Sequence, residues 1–149
     1  MATIELHPDF KDFLRLLNFH GVEYLVVGGY AVGYYGYPRA TGDLDVWIAL
    51  SANNAEKTAH VLREFGMPAK EVSRDLFTPQ DRIIRMGVPP VRIEILTGAS
   101  GVEFAACYSR RELADLGGIA VNFISLDDLK ANKKAAGRHQ DLEDIEHLP

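Results

Sequence analysis

Tyr24-Leu25-Val26-Val27-Gly28-Gly29 is an apolar run that ends in two glycines, and fourteen residues beyond them comes Asp43-Leu44-Asp45-Val46-Trp47-Ile48-Ala49-Leu50. Both apolar runs are short and bounded by turn residues, so they are predicted as buried strands over 23–28 and 43–50. Side chains alternate along a strand, which puts Asp43 and Asp45 on one face. Two carboxylates so placed repel each other unless a cation lies between them. A glycine turn that lets a phosphate approach, beside a carboxylate pair suited to magnesium, points to phosphoryl-transfer chemistry.

Working outward, Pro8 opens a helix over 8–20, with Phe10, Phe13, Leu14 and Leu17 as its apolar stripe and Gly21 as its stop. A short helix runs from Gly29 to Tyr35, ended by Gly36 and Pro38. A helix over 54–65 follows the second strand, capped by Ser51 or Asn53 and closed by Gly66 and Pro68. Residues 67–80 read as irregular. Arg82–Met86 and Val91–Leu96 read as neighbouring strands joined by Gly87-Val88-Pro89-Pro90, a hairpin signal. Residues 98–118 carry no clear pattern. Ile119–Ile124 reads as a last strand, and Ser125 with Asp128 caps a helix over 126–136 that Gly137 ends before a final helix over 139–147. Interleaved strands and helices with one hairpin predict an α/β (α+β) class, a mixed β-sheet flanked by helices.

The chain has 149 residues, 47% of them apolar and 25% charged, which suits one globular domain over 1–149. A net charge of −5 weighs against a duplex-DNA binder that relies on a broad basic face. Cys107 is the only cysteine, which excludes an internal disulfide and fits a reducing cytoplasm. The five histidines are scattered, without zinc-site spacing. No signal-peptide layout and no membrane-length apolar run appear, so the expected setting is cytoplasmic, without a membrane partner.

Each candidate residue has an ordinary reading beside the chemical one. Gly28-Gly29 could simply make a turn. With a helix starting at once, its backbone N–H groups could instead receive an anion, although neither a Walker A loop nor a dinucleotide glycine motif is present. Asp43 and Asp45 could be solvated residues at a strand start. The nearby Arg39 and Thr41 supply the cation and hydroxyl that a phosphate and metal site needs. In Val91–Leu96, Arg92, Glu94 and Leu96 share a face; Glu94 is either solvated or the third carboxylate of a two-magnesium site. Lys130, Lys133 and Lys134 could belong to a solvated helix face, or one of them could reach a triphosphate, with Arg138 and Asp141 fixing the helix pair.

Taken in order, Gly28-Gly29, Thr41 with Asp43-Leu44-Asp45, and Glu94 in a later strand resemble the nucleotidyltransferases of the DNA polymerase β superfamily. The ending Asn132-Lys133-Lys134-Ala135-Ala136-Gly137-Arg138, with Asp141-Leu142 and Asp144, is similar to the minimal nucleotidyltransferase branch of bacteria and archaea. That branch includes relatives of the abortive-infection nucleotidyltransferase toxins. The resemblance spans residues 22–50 and 90–147. It implies a nucleotidyltransferase-like mixed sheet and transfer of a nucleoside monophosphate from a nucleoside triphosphate to a tRNA or protein hydroxyl. It also implies two magnesium ions, or manganese in their place, held by Asp43, Asp45 and Glu94. Gly28, Gly29, Arg39, Thr41 and Lys133 would then bind the nucleotide. Gly28-Gly29 stands where the superfamily usually has Gly-Ser, and Glu94 where it more often has Asp. The toxin of a toxin–antitoxin pair, with an antitoxin or helical partner protein, is the biological setting that the resemblance implies. A non-catalytic nucleotide- or partner-binding module, antitoxin-like and keeping the fold, is the competing class. A metal-dependent phosphohydrolase would normally bring histidine ligands, and none lies near 43–45 or 94.

Overall fold

His7 caps the first helix by accepting a hydrogen bond from the Asp9 amide, and Pro8, with no amide hydrogen to leave unpaired, occupies its first turn. This helix, α1 (Pro8–Phe19), buries Phe10, Phe13, Leu14 and Leu17, the stripe read from the sequence. The computed structural model describes residues 5–39, 41–88 and 90–149. Along them follow β1 (Tyr24–Val27), α2 (Gly28–Tyr34), β2 (Asp43–Ile48) and α3 (Ala52–Phe65). Next come β3 (Ile83–Val88), β4 (Val91–Leu96), α4 (Phe104–Ser109), β5 (Glu112–Leu116), β6 (Ile119–Phe123), α5 (Leu126–Ala136) and α6 (His139–His147). Ser51 and Ser125 are the caps of α3 and α5, accepting from the Asn54 and Asp128 amides, and Gly137 ends α5 in the left-handed conformation.

The six strands form one mixed sheet in the order β3-β4-β2-β1-β6-β5. β2 lies centrally, antiparallel to β1 and parallel to β4. The hairpin of β3 and β4 is present, although Pro89 at its tip lies outside the described residues. The stretch 98–118, unpatterned in sequence, contains α4 and β5. β5 pairs antiparallel with β6 across Gly117 and Gly118, both at positive φ. That glycine turn is the hairpin signal available in the sequence. Residues 67–80 hold two short 3₁₀ turns, Ala69–Glu71 and Arg74–Leu76.

Alternation divides the faces of β2 and β4. Leu44, Val46 and Ile48 of β2, with Ile93 and Ile95 of β4, are buried in the core. α1 packs against α3, β6 and β4 around that core. The opposite face of the same strands carries Asp43, Asp45, Trp47, Arg92, Glu94 and Leu96. None of the described helices is long and apolar enough to cross a membrane.

Candidate functional site

Register does the first part of the assembly. Asp45 stands beside Glu94 across the parallel β2–β4 pair, and Asp43 beside Arg92. On its other side Asp45 faces Val27, the last residue of β1. The chain leaves Val27 through Gly28 at φ +67°, a left-handed conformation that side chains other than glycine's resist. A Cβ on Gly28 would lie 2.1 Å from Asp45 Oδ2, and one on Gly29 would lie 2.7 Å from Thr41 Oγ1. The glycine pair is therefore the cradle in which the side chains of Asp45 and Thr41 sit. Thr41 Oγ1 also donates to the Asp43 carbonyl at 3.3 Å.

The three carboxylates differ sharply in their partners. Arg92 grips Asp43 with a two-pronged hydrogen bond (2.9 and 2.8 Å), which holds its carboxyl below the ordinary range. Glu94 forms an ion pair with Arg85 at 3.0 Å and lies 3.8 Å from Arg92. Burial, followed by its hydrogen-bonding contact with Asp43, raises its carboxyl. Asp45 has neither a hydrogen bond nor an ion pair within the described residues. Burial first, then the negative charges of Glu94 and Asp43, push its carboxyl up to about 7, against the opposing pull of Lys133 and Arg138. Among the described residues, no three acidic, histidine or cysteine side chains are gathered closely enough to hold a metal ion as they stand. Arginines hold two of the three acids, Arg92 on Asp43 and Arg85 on Glu94.

Asp45 and Glu94 open into a cleft of about 440 Å³ lined also by Arg85, Asn132 and Arg138. Behind it lies a network of buried charge. Lys133 Nζ lies 3.2 Å from Asp141 and 3.0 Å from Asp144, and the Lys133 side chain is 6% exposed. Arg39 forks onto Asp144 at 2.8 and 2.9 Å, and Arg138 Nε donates to Asp141 at 2.7 Å. Burial alone would raise both aspartates; hydrogen bonds from Arg138 and Lys133 onto Asp141, and from Arg39 and Lys133 onto Asp144, hold them low instead. Three cations on two carboxylates leave one excess positive charge behind Asp45.

This arrangement sorts the residues read from the sequence. Asp45 and Glu94 line the cleft, with Gly28 against Asp45 and Asp43 beside them on the same face, whereas Gly29 and Thr41 line a separate pocket of about 200 Å³ together with Arg39. Lys133, read as the triphosphate lysine, is buried against Asp141 and Asp144, and Arg39 is bound to Asp144. The cation of this group that lines the cleft is Arg138, with its side chain 79% exposed. Arg138 and Asp141, read as fixing the helix pair, form a capping pair at the start of α6, and it is Lys133 of α5 that reaches Asp141 and Asp144 of α6. Arg85 was missed, and so was the grip of Arg92 on Asp43; Arg92 shares the Glu94 face by parity, which was the available signal.

A mixed sheet with this strand order, flanked by helices and carrying acids beside a glycine turn, is a nucleotidyltransferase-like α+β fold. A candidate nucleotidyltransferase from Thermotoga maritima superposes with a TM-score of 0.64 at 16% identity, covering 95% of this chain and 93% of that one. An antigenic nucleotidyltransferase-like protein from Paracoccidioides brasiliensis superposes with a TM-score of 0.55 at 16% identity, covering 91% of this chain and 71% of that one. At such identity the likeness is one of fold. No protein-family model matches the chain, and no curated protein matches its sequence.

Proposed function

We propose that the chain is a magnesium-dependent nucleotidyltransferase that moves a nucleoside monophosphate from a nucleoside triphosphate onto an acceptor hydroxyl. The observation that carries this reading is the Asp45 carboxylate: half-buried among other acids, unpaired within the described residues, and seated where Gly28 has no side chain. Such a group lacks a cation, and its oxygen donors have the hardness that magnesium prefers. Asp45 and Glu94 would hold the ion, joined by Asp43 once the Arg92 fork opens. Bound there, magnesium or manganese would neutralise charge developing on the phosphoryl group and lower the pKa of the attacking hydroxyl.

The remaining steps belong to the chain's own side chains. Arg138, with the excess charge of the network behind it, draws the polyphosphate into the cleft. Glu94, beside Asp45 across the β2–β4 pair, holds the ion of the acceptor hydroxyl or accepts its proton. The hydroxyl oxygen bonds to the α-phosphorus, the bond from that phosphorus to the bridging oxygen breaks, and diphosphate leaves with its electron pair. Gly28 and Gly29 leave the approach to Asp45 open.

The arginines on Asp43 and Glu94 favour one competing reading, a nucleotide-binding module that uses no metal. Calorimetry with each triphosphate, with and without magnesium, separates the two. The transferase reading expects affinity that depends on magnesium and is lost in Asp45→Asn, together with transfer of label from an α-labelled triphosphate to an acceptor in cell extract. Magnesium-independent binding without transfer would overturn it.

A further inference from the structure

A second cavity lies farther along the same sheet face. At about 510 Å³ it is larger than the carboxylate cleft, and the two share Gly98 and Ala99 in their walls. Trp47 stands two residues beyond Asp45 on β2 and so on its face. Phe104 of α4 meets the Trp47 ring edge-on at 5.1 Å, and Tyr108 stacks on Phe104 at 5.3 Å, which gives the cavity an aromatic wall. Gly98, in both walls, has no room for a side chain: a Cβ there would fall 2.1 Å from Asp81 Oδ1. Asp81, Glu23 and Glu103 stand at the rim, and among the described residues no lysine, arginine or histidine lines the cavity. The cleft, by contrast, is lined by Arg85 and Arg138.

We infer that this cavity is the acceptor pocket and that the acceptor is a small organic cation, an amine-bearing compound with a flat apolar body and a hydroxyl group. Its role as acceptor pocket rests on the transferase reading above; the ligand class rests on the cavity itself. The volume is that of a small-molecule site. Aromatic faces and carboxylates both favour an ammonium group, and the rings bury a flat apolar body. The same carboxylates repel phosphate, so a tRNA end is disfavoured here, whereas a triphosphate is matched by the arginines of the neighbouring cleft. With its ammonium held at the rim, the ligand can extend its hydroxyl past Gly98 towards Glu94. That oxygen then bonds to the α-phosphorus, diphosphate leaves, and the product is a phosphodiester of the amine.

Trp47 is the only tryptophan, so one indole N–H signal in a two-dimensional NMR spectrum reports on this wall. Three probes share a shape and differ in charge: tyramine (positive), tyrosol (neutral) and 4-hydroxyphenylacetate (negative). Tyramine should shift the Trp47 signal saturably at roughly millimolar concentration. Tyrosol should bind about fivefold more weakly or worse, and the acid should not bind. Asp81→Asn with Glu103→Gln should weaken tyramine about fivefold while leaving affinity for magnesium triphosphate within about twofold. Asn tolerates the left-handed backbone of Asp81, so the double variant keeps the local fold. Equal shifts from all three probes would overturn the inference. So would a Trp47 shift from magnesium triphosphate alone with about tenfold loss of triphosphate affinity in Phe104→Ala, since the wall would then hold the nucleobase. Tyramine binding by a wild-type protein that binds no triphosphate would overturn the transferase reading, and the acceptor role with it, leaving a cation pocket.

Discussion

Replacing Asp45 by Asn should stabilise the protein in the absence of metal at neutral pH and above. The Asp45 carboxyl titrates at about 7 in the fold against 3.8 ordinarily. A gap of about three pKa units corresponds to about 4 kcal/mol against the ionised form, a ceiling that water in the open cleft lowers to about 1–3 kcal/mol. Below pH 3.8 the carboxyl is protonated in both folded and unfolded chains and changes nothing. Between 3.8 and about 7 only the unfolded chain loses the proton, so stability falls as pH rises; above 7 the whole penalty stays. Asn has nearly the same shape and cannot ionise, so Asp45→Asn should remove that part of the fall. The assay is urea unfolding in chelator across this pH range. At about pH 8 the variant should exceed the wild type by about 1–3 kcal/mol, and magnesium with triphosphate should reverse the order by stabilising the wild type alone. A variant no more stable than wild type at that pH, or with an unchanged pH slope, would refute the reasoning.

Lys133→Met strips a cation from two buried carboxylates and should cost about 3–5 kcal/mol in urea unfolding, whereas Lys134→Ala, on the exposed side of α5, should stay within about 0.5 kcal/mol. Arg138→Ala should weaken triphosphate binding about tenfold by calorimetry; an unchanged affinity would take this residue out of the site. Gly28→Ala combines a left-handed backbone with a collision against Asp45 and should destabilise clearly more than Gly118→Ala. Gly118 is also left-handed but has nothing within 4 Å, so its cost should be about 1–2 kcal/mol. Cys107 is fully buried with its thiol pushed up to about 11 by burial, so iodoacetamide should alkylate it slowly in the folded protein and rapidly in denaturant.

What the sequence disclosed was what is local. The apolar runs at β1, β2 and β4 announce strands, and parity alone put Asp43, Asp45 and Glu94 on one face. The Lys133 side of α5 was likewise legible as bordering the buried stripe, and Lys134 is the more solvated of the two. β5 was hidden because Leu113 points outward at 63% exposure while Glu112, Ala114 and Leu116 are half-buried, which inverts the usual alternation. α4 has six residues, too few for helical periodicity to register. The partner choices in the site were also beyond reach. Mutual repulsion of Asp43 and Asp45 suggests one raised carboxyl, and Asp45 is that one, but burial is the larger cause. Burial depends on how α5 and the glycine turn close around it, and Arg39 meets Asp144 across 105 positions of chain.

That last separation has a consequence for biosynthesis. Arg39 precedes the first aspartate of the site, yet the carboxylate that anchors it belongs to α6. β1, which carries the glycine turn, likewise pairs with β6 near Phe123. A ribosome adding about 5–20 residues per second takes on the order of 5–20 s to go from Arg39 to Asp144. For nearly all of that interval the emerging chain holds the glycine turn and the Asp43–Asp45 pair without the helix that neutralises Arg39. Nucleotide-binding competence should therefore arrive abruptly, when α6 docks, rather than grow with chain length, and the nascent polypeptide should be inert towards triphosphates until then.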